Sequence, residues 1–199
     1  MAELAHAALL LAAGASRRLG QPKQLVQIAG VPLIRHLALE ALASEPSELL
    51  VTLGAEADRC RDALCGLPLR CLVVPDWASG MGASLAAGAG AAAPGGLLVL
   101  GVDQPALRAD HLRQLLSRWR IDPGHPVASG YAGIAGAPAV FPAAWRASLA
   151  SLNGDQGARR LLRDCRECQV VDAPELAFDL DQPDDLVRWL EGPERARTA

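Results

Sequence analysis

The chain has 199 residues, 51% hydrophobic and 21% charged, enough for one domain with a real core and too apolar to be disordered throughout. Nineteen Lys and Arg against 22 Asp and Glu leave a formal net charge of −3. That balance argues against nucleic acid as a partner, which calls for a basic domain or stripe, but leaves room for a small basic pocket.

Short apolar runs alternate with amphipathic or Ala-rich segments, and this βαβα rhythm predicts a mainly parallel sheet covered by helices. Ala7–Ala12 reads as the first strand. Glu3 precedes it and Arg17 and Arg18 follow it, the reverse of a secretion signal. No apolar run approaches the ~20 residues of a membrane span, so no membrane partner is expected. Gly14 to Leu25 is a loop punctuated by Gly14, Gly20 and Pro22. Pro32 opens a helix that runs through Leu33, Ile34, Leu37 and Leu42 to about Ser44. Leu49–Leu53 is a second strand, about Glu56 to Leu64 a helix, and Leu69–Val74 a third strand. A Gly-rich loop from Pro75 leads to a helix of small residues, Met81 to Ala93.

Gly96–Gly101 is the fourth strand, apolar on both faces and therefore central. Asp110 to Trp119 follows as a helix capped by Ala109 or Asp110. Between Pro123 and Pro142 the composition shifts to Gly, Pro and Ala, with β pieces near Val127 and Ala139–Phe141; this reads as an inserted hairpin on the catalytic side. Helices at about 143–150 and 156–163, a strand at 168–171 and a last helix from Pro183 to Leu190 complete a domain over 1–191, with 192–199 a frayed tail. Five cysteines in a chain of this size predict reduced thiols and a cytoplasmic location. Cys165-x-x-Cys168 has no second pair at zinc-site spacing.

The loop from Leu11 to Leu25 leaves a buried strand at the C-terminal edge of the sheet, where open α/β sheets bind ligands. Its small residues let backbone N–H groups approach phosphates, and Arg18 and Lys23 add a forked guanidinium and a mobile ammonium. It carries neither the Gly-x-Gly-x-x-Gly of a dinucleotide fold nor a P-loop Gly-Lys-Ser/Thr. On composition alone, a phosphate cradle and a solvated basic turn both remain open. Asp103 ends the most hydrophobic strand; it is placed either for a hard cation at the sheet edge or as a turn residue before Pro105. Asp179 and Asp181 alternate in an extended segment, so only one of them is expected to face the site. Asp184 and Asp185 fall in the first turn of the last helix and read as caps.

Taken whole, Leu-Ala-Ala-Gly-x-Ser-x-Arg-x-Gly-x-Pro-Lys-x-Leu over 11–25 resembles the signature loop of the molybdopterin nucleotidyltransferase family. Further family segments follow in order along almost the entire chain: Gly80-Met81-Gly82-Ala83-Ser84-Leu85, Gly101-Val102-Asp103-Gln104-Pro105, Gly136-Ala137-Pro138 and Asp179-Leu180-Asp181-Gln182-Pro183-Asp184-Asp185. The resemblance implies a Rossmann-like three-layer αβα fold with a mostly parallel sheet. It also implies transfer of a nucleotide from a nucleoside triphosphate to the phosphate of molybdopterin, with release of pyrophosphate and dependence on Mg²⁺.

By that resemblance Arg18, Lys23 and Asp103 are the catalytic candidates, and Asp103 with Asp181 holds the metal. Ala12, Ala13, Gly14, Gly82 and Ser84 line the base and ribose pocket, and Asp155 and Arg159 lie towards the acceptor. Ala12-Ala13-Gly14 matches the cytidylyltransferase branch, which favours CTP; the guanylyltransferase branch usually carries Ala-Gly-Gly. A guanylyltransferase, a sugar-1-phosphate or methylerythritol-type enzyme, and a non-catalytic delivery chaperone for a molybdoenzyme are the competing readings. His36, His111 and His125 have no nucleophile beside them in sequence and receive no chemistry. The four Trp residues and Met81 read as packing.

Overall fold

A computed structural model describes residues 4–154 and 157–192 of the chain. In chain order the elements are β1 (His6–Ala12), a short ribbon of β2 (Gln27–Ile28) and β3 (Val31–Pro32), α1 (Leu33–Leu42), β4 (Leu49–Leu53), α2 (Ala57–Ala63), β5 (Arg70–Val73), α3 (Met81–Ala91) and β6 (Gly96–Gly101). They continue with α4 (Ala109–Ile121), β7 (Val127–Tyr131), β8 (Ile134–Phe141), α5 (Arg146–Ala150), α6 (Arg159–Asp164), β9 (Gln169–Asp172) and α7 (Pro183–Glu191).

The main sheet has the order β5-β4-β1-β6-β8-β7-β9. Only β8 runs against the rest, pairing antiparallel with β6 and β7, while β9 is parallel to β7. The chain moves from β1 to β4 on one side and to β6 on the other, with Leu10 opposite both Val51 and Leu100. The strand order therefore reverses beside β1, and the loops leaving β1 and β6 flank the crevice where such sheets take ligands.

Alternation along the strands divides the core between two faces. Ala8 and Leu10 of β1 join Val51, Leu98 and Leu100 under α1 and α4. Ala7 and Leu9 join Leu97, Val99 and Phe141 under α3, α5 and α6. Each fully buried Leu contributes about 2 kcal/mol of hydrophobic stabilisation. The small residues of α3 have a packing reason: a Cβ on Gly88 would meet Leu9 Cδ1 at 2.5 Å, so the helix lies close on the sheet. Among the described residues no helix is long and apolar enough to cross a membrane.

Several expected boundaries move for local reasons. The helix expected from Met81 to Ala93 ends at Ala91, where its last carbonyls are taken by side chains: Arg146 Nη1 donates to Ala89 O at 2.7 Å and Nη2 to Ala93 O, and Arg70 Nη2 donates to Ala91 O. The helix expected from Asp110 starts at Ala109, with Arg108 as its N-cap residue. The cap is tertiary, because Glu40 Oε2 accepts the Ala109 N–H at 2.6 Å. The Gly- and Pro-rich stretch does form a hairpin, β7–β8, but one built into the main sheet and not inserted beside it. Its β8 belongs to the main sheet, with Val140 opposite Leu98 and Phe141 opposite Leu97. The helix expected over 156–163 is the short α6, and residues 155–156 and 193–199 lie outside the described residues.

Candidate active site

The loop after β1 is held from within by one buried side chain. Gln24 Nε2 donates to Ala12 O at 2.8 Å and to Gly14 O at 2.7 Å, using both its hydrogens on the loop's own backbone. The Lys23 N–H donates to Ser16 Oγ at 3.1 Å, and Ser16 itself adopts a positive φ of 52°. The outer side is braced by Ala55 N–H donating to Ala13 O at 3.0 Å. Gly54 leaves room there for the Trp77 ring, since a Cβ would lie 2.6 Å from Ala13 O and clash with Trp77 Cγ.

This closure points the two cations at one carboxylate. Arg18 Nη2 lies 2.8 Å from Asp181 Oδ2, and Lys23 Nζ donates to Asp181 Oδ1 at 3.4 Å. The two differ in surroundings: the Lys23 side chain is 13% exposed and that of Arg18 74%. Charge on Lys23 is thus less screened by water than charge on Arg18.

Asp103 follows β6 directly and folds back over it, so that a Cβ on Gly101 would lie 2.5 Å from Asp103 Oδ1. Its carbonyl accepts the Leu180 N–H at 2.8 Å, which fastens the 179–182 segment beside the end of β6. The far end of that segment is fixed by Asp185 Oδ2, which accepts the N–H groups of Asp181 at 3.1 Å and Gln182 at 2.8 Å. This realises the expected cap of α7. Asp179 and Asp181 both line the cavity, contrary to the expectation that strand alternation would turn one away; the segment is not paired into a sheet, so the period of two does not apply. Burial in the protein wall pushes the Asp179 carboxyl up to about 6, with repulsion from Asp103 adding to the shift and Lys23 opposing it.

The cavity these groups share has a volume of about 640 Å³, the size of a small-molecule or cofactor site. Of the residues singled out in the sequence, Ala13, Gly14, Arg18, Lys23, Ser84, Asp103, Arg159 and Asp181 line it. Ala12 and Gly82 stand behind the wall. The Ala12 carbonyl is occupied by Gln24, and the Gly82 N–H donates to Gly154 O at 2.8 Å, where a Cβ would strike the Asn153 backbone. Asp155 lies outside the described residues.

The structure adds residues that the sequence reading passed over. Trp77 and Met81, read as packing, line the cavity, and Met81 is half exposed. Tyr131 reaches in from the end of β7, its hydroxyl donating to Ala137 O at 2.8 Å over the space left by Gly136. Gln104 is buried and ties its Nε2 to Leu176 O at 3.0 Å. Gln24 and Gln104 had a readable signal, each standing beside a candidate cation or carboxylate within a family segment. Tyr131 had none, because its approach depends on the hairpin joining the main sheet. His111 bonds Ser129 Oγ at 2.7 Å, and Ser129 in turn donates to Pro138 O at 2.7 Å, so this histidine braces the hairpin.

Residues 8–170 match the family model described as the MobA-like NTP transferase domain. The chain is 38% identical over 202 residues to a protein of Paenarthrobacter nicotinovorans named nicotine blue oxidoreductase, covering 92% of this chain and 95% of the relative. It is 29% identical over 199 residues to the purine catabolism protein PucB of Bacillus subtilis (strain 168), covering 90% and 94%. Among solved structures it is similar to Rv0371c from Mycobacterium tuberculosis H37Rv, with a TM-score of 0.83 and 29% identity over 96% of this chain and all of that one. A manganese complex of that protein superposes with a TM-score of 0.79 at 27% identity, covering 94% and 99%.

Proposed function

The chain belongs to the MobA-like NTP transferase domain family, and from that premise we propose that it transfers CMP from CTP to the terminal phosphate of molybdopterin, releasing pyrophosphate. The observation that carries this reading is the convergence of Arg18 and Lys23, from the loop after β1, with Asp103, from the end of β6, on one cavity at the reversal of strand order.

The acceptor phosphate is the nucleophile and the α-phosphorus of CTP the electrophile. A phosphate monoester is already anionic near neutral pH, so no protein base is needed and the protein's work is alignment and charge neutralisation. Lys23, little exposed, would take the charge developing on the phosphates, and Arg18 the outer oxygens of the departing pyrophosphate. Ala13, Gly14 and Ser84 form the wall offered to base and ribose, and the Ala12-Ala13-Gly14 sequence supports cytosine. Arg159, which also lines the cavity, would meet the acceptor, with Asp155 four residues before it in sequence.

The donor set suits a small hard cation. Asp103 and Asp181 line the same cavity and would supply two carboxylate oxygens. That is the coordination Mg²⁺ prefers, a few protein oxygens with water and substrate phosphates filling the rest. Held by Asp103 and Asp181, Mg²⁺ would supply positive charge to the phosphates.

Pyrophosphate release with each nucleoside triphosphate, with and without molybdopterin, tests the proposal. Release with CTP and molybdopterin together supports it, release with GTP moves the chain to guanylyl transfer, and binding without release points to a delivery chaperone. A second reading comes from the relative named an oxidoreductase, because a cation pair that suits a triphosphate also suits the pyrophosphate of a nicotinamide dinucleotide. Oxidation of NADH in the presence of a dye acceptor, with no pyrophosphate release, would favour that reading.

A further inference from the structure

The turn between α6 and β9 carries two cysteines that the nucleotide cavity does not use. We propose that Cys165 and Cys168 form a dithiol site, oxidised to an intramolecular disulfide by a carboxylate-bearing low-molecular-weight disulfide that docks in the arginine-lined groove beside them.

The backbone places the two residues for such a bond. The Cys168 N–H donates to Cys165 O at 3.4 Å across a four-residue turn, and both cysteines are free and partly buried. A turn of this kind keeps its end Cα atoms within about 7 Å, and disulfides span Cα separations of roughly 4.4–6.8 Å. The side chains are neighbours as well. Burial pushes the Cys168 thiol up to about 11, and the adjacent Cys165 adds to that shift.

The groove supplies recognition. Its volume is about 680 Å³, and Arg159, Arg160 and Arg163 line it together with both cysteines. Asp164 is shared by two of these cations, 3.7 Å from Arg160 Nε and 3.2 Å from Arg163 Nε. Their side chains nevertheless remain 62% and 72% exposed. With Asp164 shared by Arg160 and Arg163, and Arg159 lining the same groove, the groove presents positive charge next to two thiols. An anion that carries a sulfur electrophile matches both features.

The protonation of Cys168 makes it the poorer starting nucleophile, so the first attack falls to Cys165. The Cys165 thiol gives up its proton and attacks one sulfur of the reagent, breaking the reagent's S–S bond and expelling a thiolate. Cys168 then loses its proton and attacks the Cys165 sulfur, expelling the second thiolate and forming the Cys165–Cys168 bond. Two protein thiols are oxidised, one small disulfide is reduced to two thiols, and the two protons released end on those products.

The full chain is to be incubated with oxidised glutathione or with neutral bis(hydroxyethyl) disulfide, alkylated, digested and weighed. The peptide holding both cysteines is expected to be 2 Da lighter than its reduced form (about two hydrogens lost on closing one S–S bond) and to escape alkylation. It should form several-fold faster with glutathione disulfide, and Arg163→Gln should cut that advantage. Cys168→Ser should trap glutathione on Cys165. Alkylation of both thiols, or a lasting mixed disulfide in the unaltered chain, would overturn the dithiol. Equal rates with the two reagents, unmoved by Arg163→Gln, would overturn the docking groove. None of these readouts depends on nucleotide transfer.

Discussion

Lys23 Nζ sits 3.4 Å from Asp181 Oδ1, and the other oxygen of the same carboxylate is 2.8 Å from Arg18. The two cations proposed to receive the triphosphate are thus already paired, and in that proposal a nucleotide phosphate replaces the carboxylate. Asp181→Asn is expected to tighten metal-free CTP binding by about 2–10-fold, the effect of removing one partly screened ion-pair partner. The Mg²⁺ concentration needed for half-maximal turnover should rise at the same time, because a metal oxygen is lost. Titration calorimetry with and without Mg²⁺ checks both; weaker metal-free binding would refute the competition.

Asp103→Ala should abolish turnover and leave a folded protein, since the side chain lies at the cavity and not in either half of the core. Gly101→Ala tests the same carboxylate without deleting it. The added methyl would meet Asp103 Oδ1 at 2.5 Å and turn it aside. A loss of at least ~10-fold in kcat is expected from such misplacement. Near-normal rates for either variant at saturating Mg²⁺ would remove Asp103 from the chemistry.

Lys23→Ala should lower kcat by roughly 10²–10³-fold, the range seen when a transition-state charge partner is removed. Arg160→Ala should change it less than about two-fold, because that side chain is 62% exposed and already near Asp164. Steady-state pyrophosphate release separates them. Equal, modest losses would mean that the loop after β1 is not the phosphate cradle.

Gln24→Leu should cost about 1–3 kcal/mol of stability, because it strands the buried Ala12 carbonyl and uncouples Gly14 from the loop. KM for the nucleotide should rise more than kcat falls, as the loop loses its shape while its cations remain. Denaturant unfolding and steady-state kinetics on the same variant provide the check.

Burial, with Arg120 adding to it, lowers His6 from 6.5 to about 4, and the ring is 1% exposed at the start of β1. Below pH 6.5 the unfolded chain takes up a proton that the folded protein refuses until about pH 4, so stability falls as pH drops through this window. The shift amounts to at most about 3 kcal/mol. His36 and His111 are lowered by burial too and act in the same direction, whereas Asp179, raised to about 6, acts in the opposite one. His6→Leu isolates the first contribution: its unfolding free energy should depend less steeply on pH between 6.5 and 4. An unchanged slope would show that His6 is protonated in the fold.

Local patterning was enough for much of this molecule. Leu49–Leu53 and Gly96–Gly101 read correctly to the residue, because a strand buried on both faces is a mostly apolar run bounded by polar or Gly/Pro signals, Thr52 being the one polar residue in the first. The loop from Gly14 to Lys23 was legible as a basic, glycine-bearing turn at the sheet edge, and Asp103 as a carboxylate near it, since both come just after such strands. What sequence alone determined was the chemistry available at the strand ends. Tertiary structure decided which of those groups meet. Hairpin β7–β8 carries Tyr131 to the cavity only by pairing with β6, and the Leu180 N–H on the Asp103 carbonyl brings both Asp179 and Asp181 to the rim. The reason is physical: a strand's period is written in neighbouring residues, whereas a contact between residues 23 and 181 is set by packing across the whole sheet.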